Sequence, residues 1–522
     1  MEPFEVSAYS VRLLTLEVDG LKRKTAIVVG AGLGGMSAAI RLTADGYDVK
    51  LIEKNSNLGG KLNRREGKGF TFDTGPSILT MPWVLEQLFE SVHRRLEDYI
   101  TVERVEPQWR TFFEDGTQLD VTSDLPTMLE EMAKVTQRPN RKLTDFLSYS
   151  QDMYELCMKS FYKYSIEDLK DLKSHHKLKE LFQMDPLSTV AKSTHKHFDN
   201  KYLEQLFNFF VMYVGSNPYS SPAILNQLVY VQLGLGIHYV KGGMYQIAEA
   251  MGQLMDELRV EVQFNTPVKR FVVEEDTVVG VETEDGTIHE ADVVVSNLEA
   301  IPAYRRLAPN TSKVKKETKT LEKKFDPTVS GLVLLLGTDK KFENLKHHNF
   351  FFSEDPELEF KQIFDQGKPA DDPTIYIGIS SRSDETQAPD GKDNLFVLTH
   401  VPPLSNKKRK PIDWDQYREK VLDKLERMGM TGLRDSIEFE YRFTPEDLES
   451  LYGPNGGSIY GIAADRKTNG GFKVPSKSQV YNGLYFVGGS THPGGGVPMV
   501  TLSGQLTADL IKEQESKQPV KQ

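Results

Sequence analysis

The stretch "TAIVVGAGLGGMSAAIRLTADGYDVKLIEKNSNLGGKLN", residues 25–63, restricts the fold more than any other part of this chain. A β-branched run from Ile27 to Val29 leads into Gly30-x-Gly32-x-x-Gly35 and then into a helix with Ala39 and Leu42 on its inner face. A second strand, Val49 to Ile52, ends at Glu53. Strand, glycine turn, helix, strand and acid in this register predict a βαβ unit that binds a dinucleotide. Gly30 makes the tight turn, Gly32 and Gly34 let a pyrophosphate approach the backbone, and Gly35 lets the helix pack on the strand. The helix N-terminus offers free N–H groups and a favourable dipole for phosphates. Glu53, 18 residues past Gly35, is placed to accept hydrogen bonds from a ribose.

Six residues beyond Glu53 comes "GGK", Gly59, Gly60 and Lys61. An acid followed by this doublet resembles the flavoproteins of the amine oxidase and phytoene desaturase superfamily, which bind FAD. No second glycine fingerprint follows, so a separate NADPH domain is not expected.

The chain has 522 residues, room for two or three domains, with 39% hydrophobic and 27% charged residues, a globular composition. The net charge of -11 argues against nucleic acid as a partner. A single cysteine, Cys157, allows no internal disulfide and points to a reducing, cytoplasmic compartment. Cys157 reads as a packed side chain. The first 24 residues lack the basic and apolar regions of a signal peptide and read as an extension outside the fold. No run reaches the ~18 apolar residues of a spanning helix.

Periodicity then divides the chain. Residues 25–120 hold the fingerprint and the Gly75-Pro76 turn, and 121–235 read as mostly helical. Residues 236–304 include strands around an Asp285-Gly286 turn, and 305–454 mix strands such as "SGLVLLLG" with helices. Residues 455–515 return through a strand and the loop "GGSTHPGGGVPMVTLSG", leaving 516–522 as a polar tail. The expected fold is α/β. A discontinuous Rossmann-type nucleotide domain of three segments carries a mixed α+β substrate domain and a helical insertion.

The blocks "GPSILTMP", "QWRTFFEDGT", "HHNFFFSED", "DDPTIYIG", "GSIYGIAADRKTNGGFKVP" and "FVGGSTHPGGGVPMVTLSGQ" carry a more specific likeness. From Thr25 onward the chain resembles the bacterial carotenoid desaturases and oxygenases of the phytoene desaturase type. "GPSILTMP" and "GGGVPMVTLSGQ" look more like the oxygenase branch.

The resemblance implies FAD as cofactor and a lipophilic carotenoid as substrate. The implied reaction oxidises the terminal methyl of a thirty-carbon chain such as 4,4'-diaponeurosporene or diapolycopene to an aldehyde. A desaturase of the same fold and a non-catalytic prenyl-binding protein are the alternatives. It also implies peripheral attachment to the inner face of the cell membrane, beside other enzymes of the pathway. Cofactor contacts are expected at Gly30, Gly32, Gly34, Gly35, Glu53, Lys54, Gly59, Gly60, Lys61, Gly75, Pro76, Val268, Gly489, Gly495, Val497, Pro498 and Met499. Val268 would lie near the adenine. Gly494 to Gly496 would let the backbone approach the flavin, and Pro498 suits the first turn of a helix.

The candidates for acid–base chemistry are His492 and Arg110, with Lys241 behind them. A hydrocarbon substrate calls for a long apolar tunnel. "YLEQLFNFFVMYVG", with Leu206, Phe207, Phe209, Phe210, Met212 and Tyr213, could line it or dip into a membrane. His195 and His197 could face one way on an extended stretch, but no acid partner is evident, and no metal site is expected.

Overall fold

The computed structural model describes residues 23–516 apart from Arg138. The extension before Thr25, up to residue 22, and the tail beyond residue 516 lie outside the described residues.

A five-stranded, wholly parallel sheet organises the nucleotide side. Its order is Leu484–Phe486, Val293–Ser296, Thr25–Val29, Asp48–Ile52, Glu261–Gln263. Parallel strands are buried on both faces, and the central ones read accordingly as continuous β-branched runs. All four residues of Val293–Ser296 are buried. The strands come from three distant parts of the chain, so the sheet holds those parts together.

On one face two helices, Leu33–Ala44 and Val497–Ser516, meet almost backbone to backbone. A Cβ on Gly504 would stand 2.4 Å from the Gly34 carbonyl oxygen and 2.7 Å from the Ala38 nitrogen. Both helices begin at the same end of the sheet, which fixes where two glycine turns converge. A smaller antiparallel sheet, Val268–Glu274, Thr277–Thr283 and Ile288–Glu290, contains the Asp285-Gly286 turn.

The substrate side is a seven-stranded sheet in the order Ile437–Phe443, Ser330–Thr338, Asp393–Val401, Ile375–Gly378, His348–Phe351, Trp109–Phe112, Gln118–Val121. The last two strands belong to residues 25–120 or straddle their end. The substrate sheet therefore recruits chain from before the boundary that the sequence indicated.

Every residue of Ser330–Thr338 and Asp393–Val401 is buried, because both faces are covered. Leu332, Leu334, Leu336, Leu395 and Val397 pack with Val421 and Leu425 of the helix Trp414–Arg427. The alternating residues Val333, Phe396 and Leu398 face the other way, into a cavity.

The described residues between 125 and 233 are mostly helical, including Pro139–Lys159, Val190–His197 and Lys201–Phe209. His195 and His197 are on a helix, not on an extended stretch. They turn to Glu204 and to the Ser193 carbonyl respectively, and so do not converge. Among the described residues no group of three His, Cys, Asp or Glu could hold a metal ion.

Candidate functional site

The strand Thr25–Val29 runs into Gly30, whose φ of +99° requires a glycine. A Cβ on Gly35 would lie 2.1 Å from the Gly30 carbonyl oxygen, so Gly35 serves helix–strand packing and does not line the cavity. The helix that follows is capped at Gly32 with no side-chain hydrogen bond, leaving its opening N–H groups to the cavity. Glu53, 5% exposed, ends the second strand. Its Oε2 accepts the Ala31 N–H at 2.7 Å and its Oε1 the Asn55 N–H at 2.9 Å. These bonds aim the carboxylate at the cavity and leave it acceptor capacity for a ribose.

Gly59, Gly60, Lys61, Lys54, Gly75, Pro76 and Val268 line the same cavity. Lys61 donates to the carbonyls of Ser458 and Ile459 at 2.8 and 3.1 Å, with Glu299 at 3.7 Å. Burial pulls its pKa down, against the attraction of Glu299.

The C-terminal loop closes the cradle. Gly489, Gly495, Val497, Pro498 and Met499 all line the cavity. The three glycines have different reasons. A Cβ on Gly495 would lie 2.1 Å from the Tyr460 carbonyl oxygen, so this glycine lets two backbones touch. A Cβ on Gly494 would press on Lys473 at 3.0 Å. Gly496, at φ +103°, has nothing within 4 Å of a built Cβ, so it is the glycine that leaves space for a ligand.

Neither acid–base candidate faces this space. His492 is 3% exposed and does not line the cavity. Its Nε2–H donates to the Phe161 carbonyl at 2.7 Å and its ring stacks on Phe161. Burial lowers its pKa to about 4, so it is neutral and pins the glycine loop to the helical insertion. Arg110 forms a bidentate pair with Asp120, Nε to Oδ1 and Nη2 to Oδ2 at 2.7 Å each, and donates to the Asn344 carbonyl. It braces the sheet edge. Lys241 is exposed and donates to the Ser383 carbonyl.

Beyond the cradle the cavity, of about 690 Å³, continues into an aromatic region walled by Trp109, Phe209, Met212, Phe350, Phe396 and Leu398. From the segment 202–215, Phe209, Met212 and Tyr213 line it, whereas Leu206, Phe207 and Phe210 are buried in the core and cannot reach a membrane. Cys157 also borders the cavity, and burial pushes its thiol up, so it stays protonated.

The polar groups in this wall are few. Lys473 donates to the Ile462 carbonyl at 2.6 Å and is lowered by burial to about 8. His400 is lowered by burial to about 4, and its Nε2 has no partner among the described residues. The Tyr376 hydroxyl lies 2.7 Å from both Ser77 Oγ and His348 Nδ1. Lys473, Tyr376, His348 and Ser77 all fall inside the blocks that carried the resemblance. That was the signal available for finding them.

The comparisons agree with this construction. Residues 33–512 match the model of the flavin-containing amine oxidoreductases. A 4,4'-diaponeurosporene oxygenase of Staphylococcus haemolyticus (strain JCSC1435) is 42% identical over 498 residues, 95% of this chain and 99% of that protein. A protein of the same name from Staphylococcus aureus (strain MSSA476) is 42% identical over 496 residues, again 95% and 99%.

Putrescine oxidase bound to putrescine superposes with TM-score 0.62 at 15% identity, covering 94% of this chain and 99% of that one. Cyclohexylamine oxidase from Brevibacterium oxydans IH-35A gives 0.59 at 15%, covering 95% and 100%. These structures share the fold. The residues of the cradle suit a flavin nucleotide: an acid for a ribose, an uncapped helix N-terminus for phosphates, and glycines where side chains would intrude. The chain belongs to the flavin-containing amine oxidoreductase family.

Proposed function

We propose that this protein binds FAD and oxidises the end of a long polyene, taking the terminal methyl of a thirty-carbon carotenoid to an aldehyde. The observation that carries this reading is the continuity of the cavity: one space runs from the dinucleotide cradle into the aromatic region. The relatives named for this activity cover nearly the whole chain. Bound FAD would supply a two-electron acceptor at the cradle end; methyl to aldehyde is a four-electron oxidation, so it takes two such steps, with dioxygen or water as the source of the oxygen atom.

The residues do the rest. Glu53 would hold the ribose, and the opening turn of Leu33–Ala44 the pyrophosphate. Trp109, Phe209, Phe350 and Leu398 would hold the polyene by apolar contact and keep water away. A hydrocarbon offers no hydrogen bonds, so recognition rests on shape and buried area.

The same reading places the protein at the inner face of the cell membrane, where its substrate dissolves and other enzymes of the pathway would work. Among the described residues no helix is long and apolar enough to cross a membrane. Support comes from residues 164–187. Leu178, Phe182 and Leu187 are 69%, 67% and 81% exposed, with Leu169 and Tyr164 beside them. Lys170, Lys173, Lys177 and Lys179 stand among them, with Glu167, Asp168, Asp171, Glu180 and Asp185 in the same segment, so attachment would rest on the exposed apolar side chains. The buried side of this segment packs against Phe161 and Ile224, which border the cavity.

Three outcomes follow. Cells making 4,4'-diaponeurosporene and this protein should accumulate the terminal aldehyde, identified by mass and absorption. New double bonds formed from diapophytoene, with no aldehyde from diaponeurosporene, would make it a desaturase. Purified Gly495→Val should lose its FAD absorbance, Glu53→Gln should bind FAD about 10–100-fold more weakly, and His492→Ala should keep it. Replacing Leu178, Phe182 and Leu187 together by aspartate should abolish flotation with anionic liposomes. Equal flotation of the variant and the parent would refute the assigned face.

A further inference from the structure

Beside the main cavity lies a second, buried chamber of about 20 Å³. Its wall mixes polar Asp73, Ser77, Tyr239, His347 and Asn394 with apolar Phe72 and Phe396. That volume exceeds the ~10–15 Å³ that one water molecule needs, and the wall offers more than the two to four partners that hold one. The Tyr239 hydroxyl is fully buried there with no partner among the described residues. Ser77 and Phe396 border both spaces, so the Ser77 hydroxyl stands where the apolar cavity meets the polar chamber.

Two further contacts extend this arrangement. On the cavity side, Ser77 Oγ, the Tyr376 hydroxyl and His348 Nδ1 form a row at 2.7 Å each, and His348 Nε2 is buried with no partner. The row closes in either direction. His348 donates through Tyr376 to Ser77, or Ser77 donates through Tyr376 to His348, and the two states differ by one imidazole tautomer. In the first state the Ser77 proton is free to turn towards either space. On the far side, His347 borders the chamber, and its Nδ1 lies 2.6 Å from Ser383 Oγ. Ser383 is partly exposed, and its carbonyl accepts from the exposed Lys241.

We propose that Ser77 is a relay residue that passes protons from the oxidation site into this chamber, where Asp73 receives them. The proposal rests on the polyene-oxidising reading. Oxidising a chain-end alcohol to its aldehyde breaks one C–H and one O–H bond. Bound FAD would accept the C–H hydrogen with both its electrons, as a hydride. The O–H hydrogen leaves as a proton, and Ser77 is the hydroxyl of this wall that also borders the chamber. Ser77 Oγ takes that proton as its own moves to a water in the chamber, and Asp73 accepts it from the water; burial lowers His347 to about 3, so it stays neutral.

Asp73 is suited to hold a proton for a time. Its carboxylate is fixed by the Met244 and Tyr245 N–H groups at 2.9 and 3.2 Å. Burial raises its pKa to about 6, Asp384 acts in the same sense, and those N–H groups with Arg64 oppose it. Tyr239 and His347 are the other ionisable groups facing it in the chamber. Raised in this way, Asp73 is ionised and able to accept above pH of about 6, and it loses that ability as pH falls through that value.

The test uses the FAD-loaded full chain, mixed without oxygen with the terminal alcohol of 4,4'-diaponeurosporene while flavin absorbance is followed. Wild-type bleaching should slow as pH falls through about 6. Ser77→Ala should bleach at least tenfold more slowly, as expected for a lost proton-transfer group. Its affinity for the polyene should be unchanged, Ser77→Thr should recover the rate, and Tyr239→Phe should slow it as well.

A crystal structure of the loaded protein should show an ordered water within hydrogen-bond distance of the Tyr239 hydroxyl and Ser77 Oγ. Ser77→Ala bleaching at the wild-type rate with the wild-type pH profile, or a dry chamber, would overturn the relay while leaving the functional reading intact. A wild-type protein that the alcohol never bleaches would remove both.

Discussion

The contact between the helices Leu33–Ala44 and Val497–Ser516 sets the geometry on which everything else depends. Gly504 lies so close to the Gly34 carbonyl that no side chain fits between them. The contact joins the second residue of one helix to the eighth of the other, so both helices open near it, at the same end of the sheet. One opens from the loop after Thr25–Val29 and the other from the loop after Leu484–Phe486, and both N-termini border the same cavity. Nearly 470 residues separate these helix starts in the chain, so the cradle exists only when the sheet has assembled. Gly495 repeats the device against the Tyr460 carbonyl, joining the cradle to the floor of the substrate side.

The substrate sheet meets this cradle with one of its two apolar faces. Leucines at alternate positions of Ser330–Thr338 and Asp393–Val401 take the helix Trp414–Arg427, and the intervening residues form the cavity wall. A wall of that kind is dry, and it makes each remaining polar group conspicuous. His348, Tyr376 and Ser77 form a single hydrogen-bonded row, and Lys473 keeps one carbonyl partner next to Gly494. Electrostatic effects are strong in such surroundings, because little solvent screens them.

Local features were legible in the sequence and long-range ones were not. The nucleotide fingerprint could be read because strand, turn, helix and acid occupy 29 consecutive residues, Thr25 to Glu53. Arg110 reads from the sequence either as an acid–base candidate or as the partner of a carboxylate, and the structure shows the second: Asp120 lies directly opposite it in a hairpin turning near Asp115 and Gly116. That hairpin is visible in "WRTFFEDGTQLDV", so the ion pair could have been found. His492 could not, because its acceptor, the Phe161 carbonyl, is 331 residues away. The segment 202–215 was right in composition and half right in direction, since helical periodicity does not say which neighbour a face will meet. Its apolar residues turn to the cavity and the core, and the exposed apolar residues sit on 164–187, among charged side chains.

The central claim is that the flavin and the polyene share one cavity. The direct measurement is flavin fluorescence in the FAD-loaded protein during an oxygen-free titration with 4,4'-diaponeurosporene. A polyene held against the isoalloxazine should quench the emission saturably, with one polyene bound per flavin. A polyene that binds with the same stoichiometry yet leaves the flavin emission unchanged would contradict the account.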